Sequence, residues 1–253
     1  MVGWRGDDHY SEDSGVSSRL PPLREPPIGF AHRGARAHAP ENTLEAFQVA
    51  LRLGGTGLES DVWLTSDRQA VLDHDGVVGG RLRRTPISQV ARTDLPRHIP
   101  TLRELYESCG TDFELSLDIK DDAAVGEVIA VARGLGEDVE ARLWLCHPNW
   151  RTVASWREMT DVAKLVDSTR LRHMKAGPER RAAELAEAGV DAVNLHHSDW
   201  NGGFVALFHR FEIHTLAWDC QFDRVLDEML DAGMDGVFSD HVDRMMQALA
   251  RVT

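Results

Sequence analysis

From Phe113 onward the chain keeps switching period: short apolar runs that read as strands alternate with helical runs. No other feature narrows the fold as much. Strand-like runs lie at Phe113–Ile119, Arg142–Cys146, Ala163–Val166, Ala192–Leu195, Ile213–Trp218 and Gly236–Phe238. Helical runs fall at about 122–135, 149–159, 178–188, 200–209, 221–232 and 241–251. Two earlier strands, Ile28-Gly-Phe-Ala31 and the one opening at Gly57, bring the count to eight strand–helix units. Eight such units in 253 residues match the size of an α/β fold of the (β/α)8 TIM-barrel type. A doubly wound open sheet is the rival, but no glycine-rich dinucleotide loop or Walker loop supports it.

Residues 1–25 are polar, rich in Ser, Asp, Glu and Pro, and aperiodic, so they read as a flexible N-terminal tail ahead of a barrel spanning 26–253. Thr43 opens a helix with Leu44, Phe47, Ala50 and Leu51 at helical spacing, closed by Gly54-Gly55. After the second strand, Ser66–Gln69 is too short for a parallel crossover, so Ala70-Val-Leu-Asp-His-Asp75 should return as an antiparallel hairpin. Residues 76–100, with Gly79-Gly80, Arg81, Arg83, Arg84 and prolines, read as a small insertion after the second strand. Thr101-Leu-Arg-Glu104 is a capping box for a helix running to about Cys109.

The hairpin carries the chemistry. Glu59 and Asp61 sit two apart, so on a strand both carboxylates share a face. Centring the turn on Asp67-Arg68 pairs Leu64 with Val71 and Asp61 with His74, which would bring Glu59, Asp61 and His74 together. Two hard oxygen ligands beside an imidazole suggest a divalent cation with an acid/base at hand. A polar-faced surface hairpin is the plain alternative. Against it stands the end of the first strand, where His32 and Arg33 add a second histidine and a cation for an anionic group.

The net charge of −13 argues against nucleic acid or an anionic membrane as primary partner. Cys109, Cys146 and Cys220 are odd in number and lack metal-site spacing, so neither a disulfide framework nor a zinc site is indicated. The N-terminus shows no apolar signal region, and no run approaches the ~18 apolar residues of a membrane span. The expectation is a cytoplasmic protein without stable membrane insertion. The pattern carries no signature of an oligomeric state.

In a barrel, catalytic groups come from the C-terminal ends of strands. The polar residues there are His32-Arg33, Glu59 and Asp61, Asp118 and Lys120, His147, Asp167, His196-His197, Trp218-Asp219 and Ser239-Asp240. His196-His197 has a plainer reading as a strand cap. Asp118 and Lys120 have one as a structural ion pair.

Ala31-His-Arg-Gly34, Pro40-Glu-Asn-Thr43, Glu59-Ser-Asp-Val62 and His74-Asp75 stand in an order and spacing that resemble the glycerophosphodiester phosphodiesterase family. Ile99-Pro-Thr-Leu102, Asp118-Ile-Lys120, Ala217-Trp218 and Gly233-Met-Asp-Gly-Val-Phe-Ser-Asp240 resemble its later segments, so the likeness covers roughly residues 28–245. The resemblance implies a metal-dependent TIM-barrel hydrolase that cleaves a small-molecule glycerophosphodiester to an alcohol and glycerol 3-phosphate. It implies that Glu59, Asp61 and Asp118 ligate the metal, that His32 and His74 form the acid/base pair, and that Arg33 holds the phosphate. Lys120 would then neutralise transition-state charge, and Trp218 would wall the glycerol pocket. Three positions depart from the family pattern. Asp118 stands where glutamate is usual, Trp218-Asp219-Cys220-Gln221 replaces Trp-Thr-x-Asn, and Cys146-His147-Pro148 replaces Ser-Phe. The added Asp219 carboxylate could select a different headgroup.

All-oxygen ligation suits one Mg²⁺ or Ca²⁺ over Zn²⁺. Two histidines allow one to take a proton from the attacking group while the other protonates the leaving alkoxide. The attacker is either water or a neighbouring substrate hydroxyl, the latter giving a cyclic phosphate. Related enzymes of the phospholipase C or sphingomyelinase D type would use similar groups but would be expected to show an exposed apolar loop. A non-catalytic barrel binding a phosphorylated metabolite is the alternative outside catalysis.

Overall fold

A computed structural model describes residues 20–80 and 84–253. Residues 1–19 of the expected tail and 81–83 of the insertion lie outside the described residues. In chain order, β1 (Ile28–Ala31) is followed by α1 (Leu44–Arg52), β2 (Gly57–Leu64) and a short β3 (Ala70–Leu72). Strands β4 (Val77–Val78) and β5 (Thr85–Pro86) pair with each other, and α2 (Leu102–Cys109) leads back to the barrel under the expected Thr101/Glu104 capping box. Then come β6 (Glu114–Ile119), α3 (Val125–Leu135), α4 (Glu137–Ala141), β7 (Leu143–His147), α5 (Trp150–Ser155) and β8 (Lys164–Ser168). Next are α6 (Pro178–Glu187), β9 (Ala192–His196), α7 (Gly202–His209), β10 (His214–Trp218), α8 (Asp223–Asp231), β11 (Gly236–Ser239) and α9 (Val242–Leu249).

Strand β1 pairs in parallel with β2 on one side and β11 on the other. Parallel pairing continues through β6, β7, β8, β9 and β10, so eight strands close into a TIM barrel. Alternate residues point inward. Phe30, Trp144, Cys146, Val166, Leu216 and Phe238 fill the interior, with Phe30 stacked on Phe238 at 4.6 Å and edge-on to Trp144 at 5.9 Å. Gly57 makes room for Phe30, since a Cβ there would stand 2.6 Å from the ring. Residues of opposite parity, such as Leu58, Leu117, Leu165 and Val193, are buried with Phe47, Leu105 and Phe208 of the helices. Among the described residues no helix is long and apolar enough to cross a membrane.

The hairpin forms, but its register corrects the expectation by one residue. Leu64 pairs with Ala70 and Val62 with Leu72, not Leu64 with Val71. The loop holds three residues, with Arg68 in the left-handed region (φ 62°) and Thr65 N–H donating to the Gln69 carbonyl at 3.0 Å. That extra residue puts Asp73, not His74, level with Asp61, and Asp73 N–H donates to the Asp61 carbonyl at 3.1 Å. The insertion packs against the far end of this hairpin through Val71, Ile87, Leu95 and Ile99, with Trp63 beside them.

The segment 20–25, which reads as tail in the sequence, is hydrogen-bonded to the barrel. Leu20 N–H donates to the Asp231 carbonyl at 3.0 Å, and Arg24 N–H donates to Asp235 Oδ1 at 2.8 Å. The Arg24 guanidinium also donates to Glu114 Oε1 at 2.8 Å. The segment thus lies across the N-terminal mouth.

Candidate active site

At the C-terminal mouth, β2 and β6 lie side by side in register, with Asp61 opposite Asp118 and Glu59 opposite Ser116. Inward parity therefore delivers Glu59, Asp61 and Asp118 to one point, where their ligand oxygens all lie within 4.8 Å of one another. Glu59 and Asp61 are buried, and Asp118 is half-buried. Burial, aided by Asp61 and Asp118, pushes the Glu59 carboxyl up to about 7. Burial likewise raises Asp118, against the pull of Lys120.

Cations ring the cluster. Lys120 Nζ lies 3.0 Å from Asp61 Oδ1 and 3.1 Å from Asp118 Oδ2. Arg33 Nε is 3.5 Å from Asp61 Oδ2, and Arg33 N–H donates to Glu59 Oε2 at 2.8 Å. This backbone bond depends on the turn after β1, where Arg33 adopts φ 51° and Gly34 φ 78°. A Cβ on Gly34 would strike α1 at the Ala46 backbone, 2.8 Å away, so glycine lets the turn sit tightly on the helix. Asp61 Oδ2 is buried with no hydrogen-bond partner. Three crowded carboxylates, one with an orphaned oxygen, fit a hard divalent cation.

His32 follows β1 and faces the same point, with Nε2 3.9 Å from Glu59 Oε2. Its Nδ1 lies 2.6 Å from Asp240 Oδ1. A carboxylate only accepts, so Nδ1 carries the proton and Nε2 is turned toward the cavity. Burial pulls the His32 pKa down, but the Glu59 charge and the Asp240 bond outweigh it and leave it raised. His74 stands just past β3, exposed, with Nδ1 2.9 Å from Asp75 Oδ1. Unlike His32, it does not line the cavity.

That cavity, about 420 Å³, opens between the carboxylate cluster and a far wall. The far wall includes Ser168, Thr169, Arg170, Asn194, Trp218 and Asp219. Trp218 lies under the Arg170 guanidinium, 5.6 Å from the ring centre, and Arg170 is paired with Asp199. Asn194 is 5% exposed and its Oδ1 has no partner, which leaves an acceptor at the wall. Gln221 Oε1 accepts from Asp240 N–H at 2.9 Å and so steadies the His32–Asp240 pair.

Of the residues read from the sequence, His32, Arg33, Glu59, Asp118 and Trp218 line this cavity. Asp61 and Lys120 join them through the ion pairs, and His74 stands apart. The sequence pattern assigns no role to Asp240 or Asn194. Ser239-Asp240 did stand among the polar strand ends, and Asn194 has the same parity on β9 as His196, so both left a faint trace.

The family model described as "Glycerophosphoryl diester phosphodiesterase family" matches residues 32–244. A glycerophosphodiester phosphodiesterase of Caldanaerobacter subterraneus subsp. tengcongensis is 25% identical over 248 residues, covering 88% of this chain and 97% of that protein. The crystal structure of a glycerophosphodiester phosphodiesterase from Thermotoga maritima is similar with a TM-score of 0.74 at 21% identity, covering 87% of this chain and 97% of that one. A phosphodiesterase of Oleispira antarctica, solved in complex with the product sn-glycerol-3-phosphate, gives a TM-score of 0.74 at 21% identity over 88% of this chain and 97% of that one. At those identities the two structures establish a common fold.

Proposed function

The chain belongs to the glycerophosphoryl diester phosphodiesterase family, and we propose that it hydrolyses glycerophosphodiesters to an alcohol and glycerol 3-phosphate in a divalent-metal-dependent reaction. One observation carries the reading: three carboxylates, one with a buried oxygen that accepts no hydrogen bond, crowd together next to two cations at the edge of a cavity. Glu59, Asp61 and Asp118 would hold one Mg²⁺ or Ca²⁺, since hard oxygen donors favour those ions. When bound, the ion supplies neutralisation of charge on the phosphate oxygens.

The chain's own groups do the rest. Arg33 and Lys120 add positive charge beside the phosphate, which lowers the cost of bringing a nucleophile to an anion. His32 Nε2 exchanges a proton with the attacking or leaving oxygen, while Asp240 fixes the ring's tautomer and stabilises its charged form. His74 is assigned the partner proton transfer, with its Nε2 free of the Asp75 contact. It would act from the rim, where the loop past β3 must turn toward bound substrate. Trp218 presents an apolar face to the glycerol carbons, and Asn194 Oδ1 accepts from a substrate hydroxyl.

The test is ³¹P NMR of glycerophosphocholine incubated with the wild type and with His32→Ala in the presence of Mg²⁺. The expected result is quantitative conversion of the diester signal to glycerol 3-phosphate by the wild type and almost none by the variant. A product other than glycerol 3-phosphate, or equal turnover by both proteins, would overturn the assignment.

A further inference from the structure

A second set of side chains at the same mouth has a different ligand chemistry. We propose that His196, His197 and Asp219 form a further metal site, one that takes a transition ion of the Zn²⁺ type in preference to Mg²⁺ or Ca²⁺. The proposal goes beyond the hydrolase reading and does not depend on it.

The geometry comes from strand register. His196 ends β9 directly beside Trp218, the end of β10, so Asp219 follows within reach of His196. The backbone turns at Asp219 with φ 65°. His196 Nε2 then lies 3.2 Å from Asp219 Oδ2. One ligand atom from each of the three residues falls within 4.8 Å of the other two. Tetrahedral zinc with bonds of about 2.1 Å needs its donors roughly 3.4 Å apart. The His196–Asp219 pair, at 3.2 Å, is close to that separation, and His197 would have to close in from within 4.8 Å.

Ser198 N–H donates to His196 Nδ1 at 3.1 Å and Nε2 faces the Asp219 carboxylate, so without an ion Nε2 carries the ring proton. A metal at Nε2 would take that proton's place, the ring proton moving to Nδ1, where Ser198 Oγ at 2.7 Å can accept it. The ring is held edge-on to Trp218 at 4.5 Å. Gln221 Nε2 donates to Asp219 Oδ1 at 3.3 Å, leaving Oδ2 for the metal. Two imidazoles and a carboxylate favour zinc-type ions, whereas the Glu59 cluster is all oxygen. The plainer reading makes His196 and Asp219 a hydrogen-bonded pair capping the strand, and it gives His197 no part.

The two readings separate in a binding experiment on untagged protein saturated with Mg²⁺ to fill the carboxylate cluster. Zn²⁺ is titrated by calorimetry, and Co²⁺ by visible absorption, into the wild type, His197→Ala, Asp219→Asn and Glu59→Gln, with melting curves to check folding. The proposal predicts one tight equivalent of Zn²⁺ and a tetrahedral Co²⁺ spectrum for the wild type and for Glu59→Gln. Affinity should fall roughly 10-fold or more in His197→Ala and Asp219→Asn. Absence of a tight equivalent in the wild type, or an isotherm unaltered in His197→Ala, would overturn the site.

Discussion

The two mouths of the barrel treat buried carboxylates in opposite ways. At the N-terminal mouth Asp235 is fully buried and fully served. It accepts from His209 Nε2 at 3.0 Å, Thr215 N at 2.7 Å and Arg24 N at 2.8 Å. Burial alone would raise its pKa, but these donors and His214 hold it well below the ordinary carboxylate range. Glu114 beside it accepts from Arg24 and, at 2.7 Å, from Trp144 Nε1. At the C-terminal mouth Glu59 is pushed up to about 7 and Asp61 keeps an orphaned oxygen. One end spends its hydrogen bonds on stability. The other crowds three carboxylates against two cations, which is costly for the fold and suited to holding a divalent ion.

The contrast makes its largest prediction for His32→Ala. At the C-terminal mouth kcat should drop by roughly 10²–10⁴-fold, as expected for a lost proton-transfer group. The melting temperature should move by only a few degrees. A wild-type kcat in this variant would remove His32 from the chemistry.

Asp235→Asn should behave in the opposite sense. Removing one partner of a buried charged network costs about 3–5 kcal/mol, which denaturant unfolding measures, while kcat of the folded fraction stays near wild type. Stability from Asp235 is present above its ordinary value of 3.8 and is lost as pH falls through its depressed folded value. An unfolding free energy unchanged in the variant would break the comparison.

Glu59 has the reverse sign. Between its ordinary value of 4.5 and about 7, the folded chain holds a proton that the unfolded chain has released, so stability falls as pH rises through that window. In chelator, Glu59→Gln should flatten this part of the stability–pH curve. Mg²⁺ should raise the wild-type melting temperature more at pH 7.5 than at pH 5. An equal Mg²⁺ shift at both values would contradict the crowding argument.

The smallest effect belongs to Asp118→Glu. The longer side chain should tighten Mg²⁺ binding slightly or leave it unchanged in a calorimetric titration, whereas Asp118→Asn should weaken it severely. Unchanged affinity in the Asn variant would leave Glu59 and Asp61 to hold the ion without Asp118.

The two mouths also differed in how far the sequence revealed them. Strand parity was enough to bring Glu59 to Asp61, and the alternation of eight units anticipated the barrel that aligns them with Asp118. The turn at Arg68 was not readable, because a left-handed non-glycine residue has no strong local signature, and the one-residue shift displaced His74 from its expected partner. The His32–Asp240 pair joins the first strand to the end of the last and exists only once the barrel closes. The N-terminal mouth was hidden for the same reason. Arg24 sits in an aperiodic, proline-rich stretch whose partners, Glu114 and Asp235, lie far along the chain.

If the Glu59–Asp61–Asp118 cluster holds the ion on which hydrolysis depends, binding and turnover must rise together in one titration. Chelator-stripped protein receives Mg²⁺ stepwise at pH 7.5, with the bound fraction read by calorimetry and glycerophosphocholine hydrolysis read at each step. No turnover is expected at the start, then a rise that tracks the binding isotherm, with both curves lost in Asp61→Asn. Full-rate hydrolysis before any ion has bound, or in the Asp61→Asn protein, would contradict it.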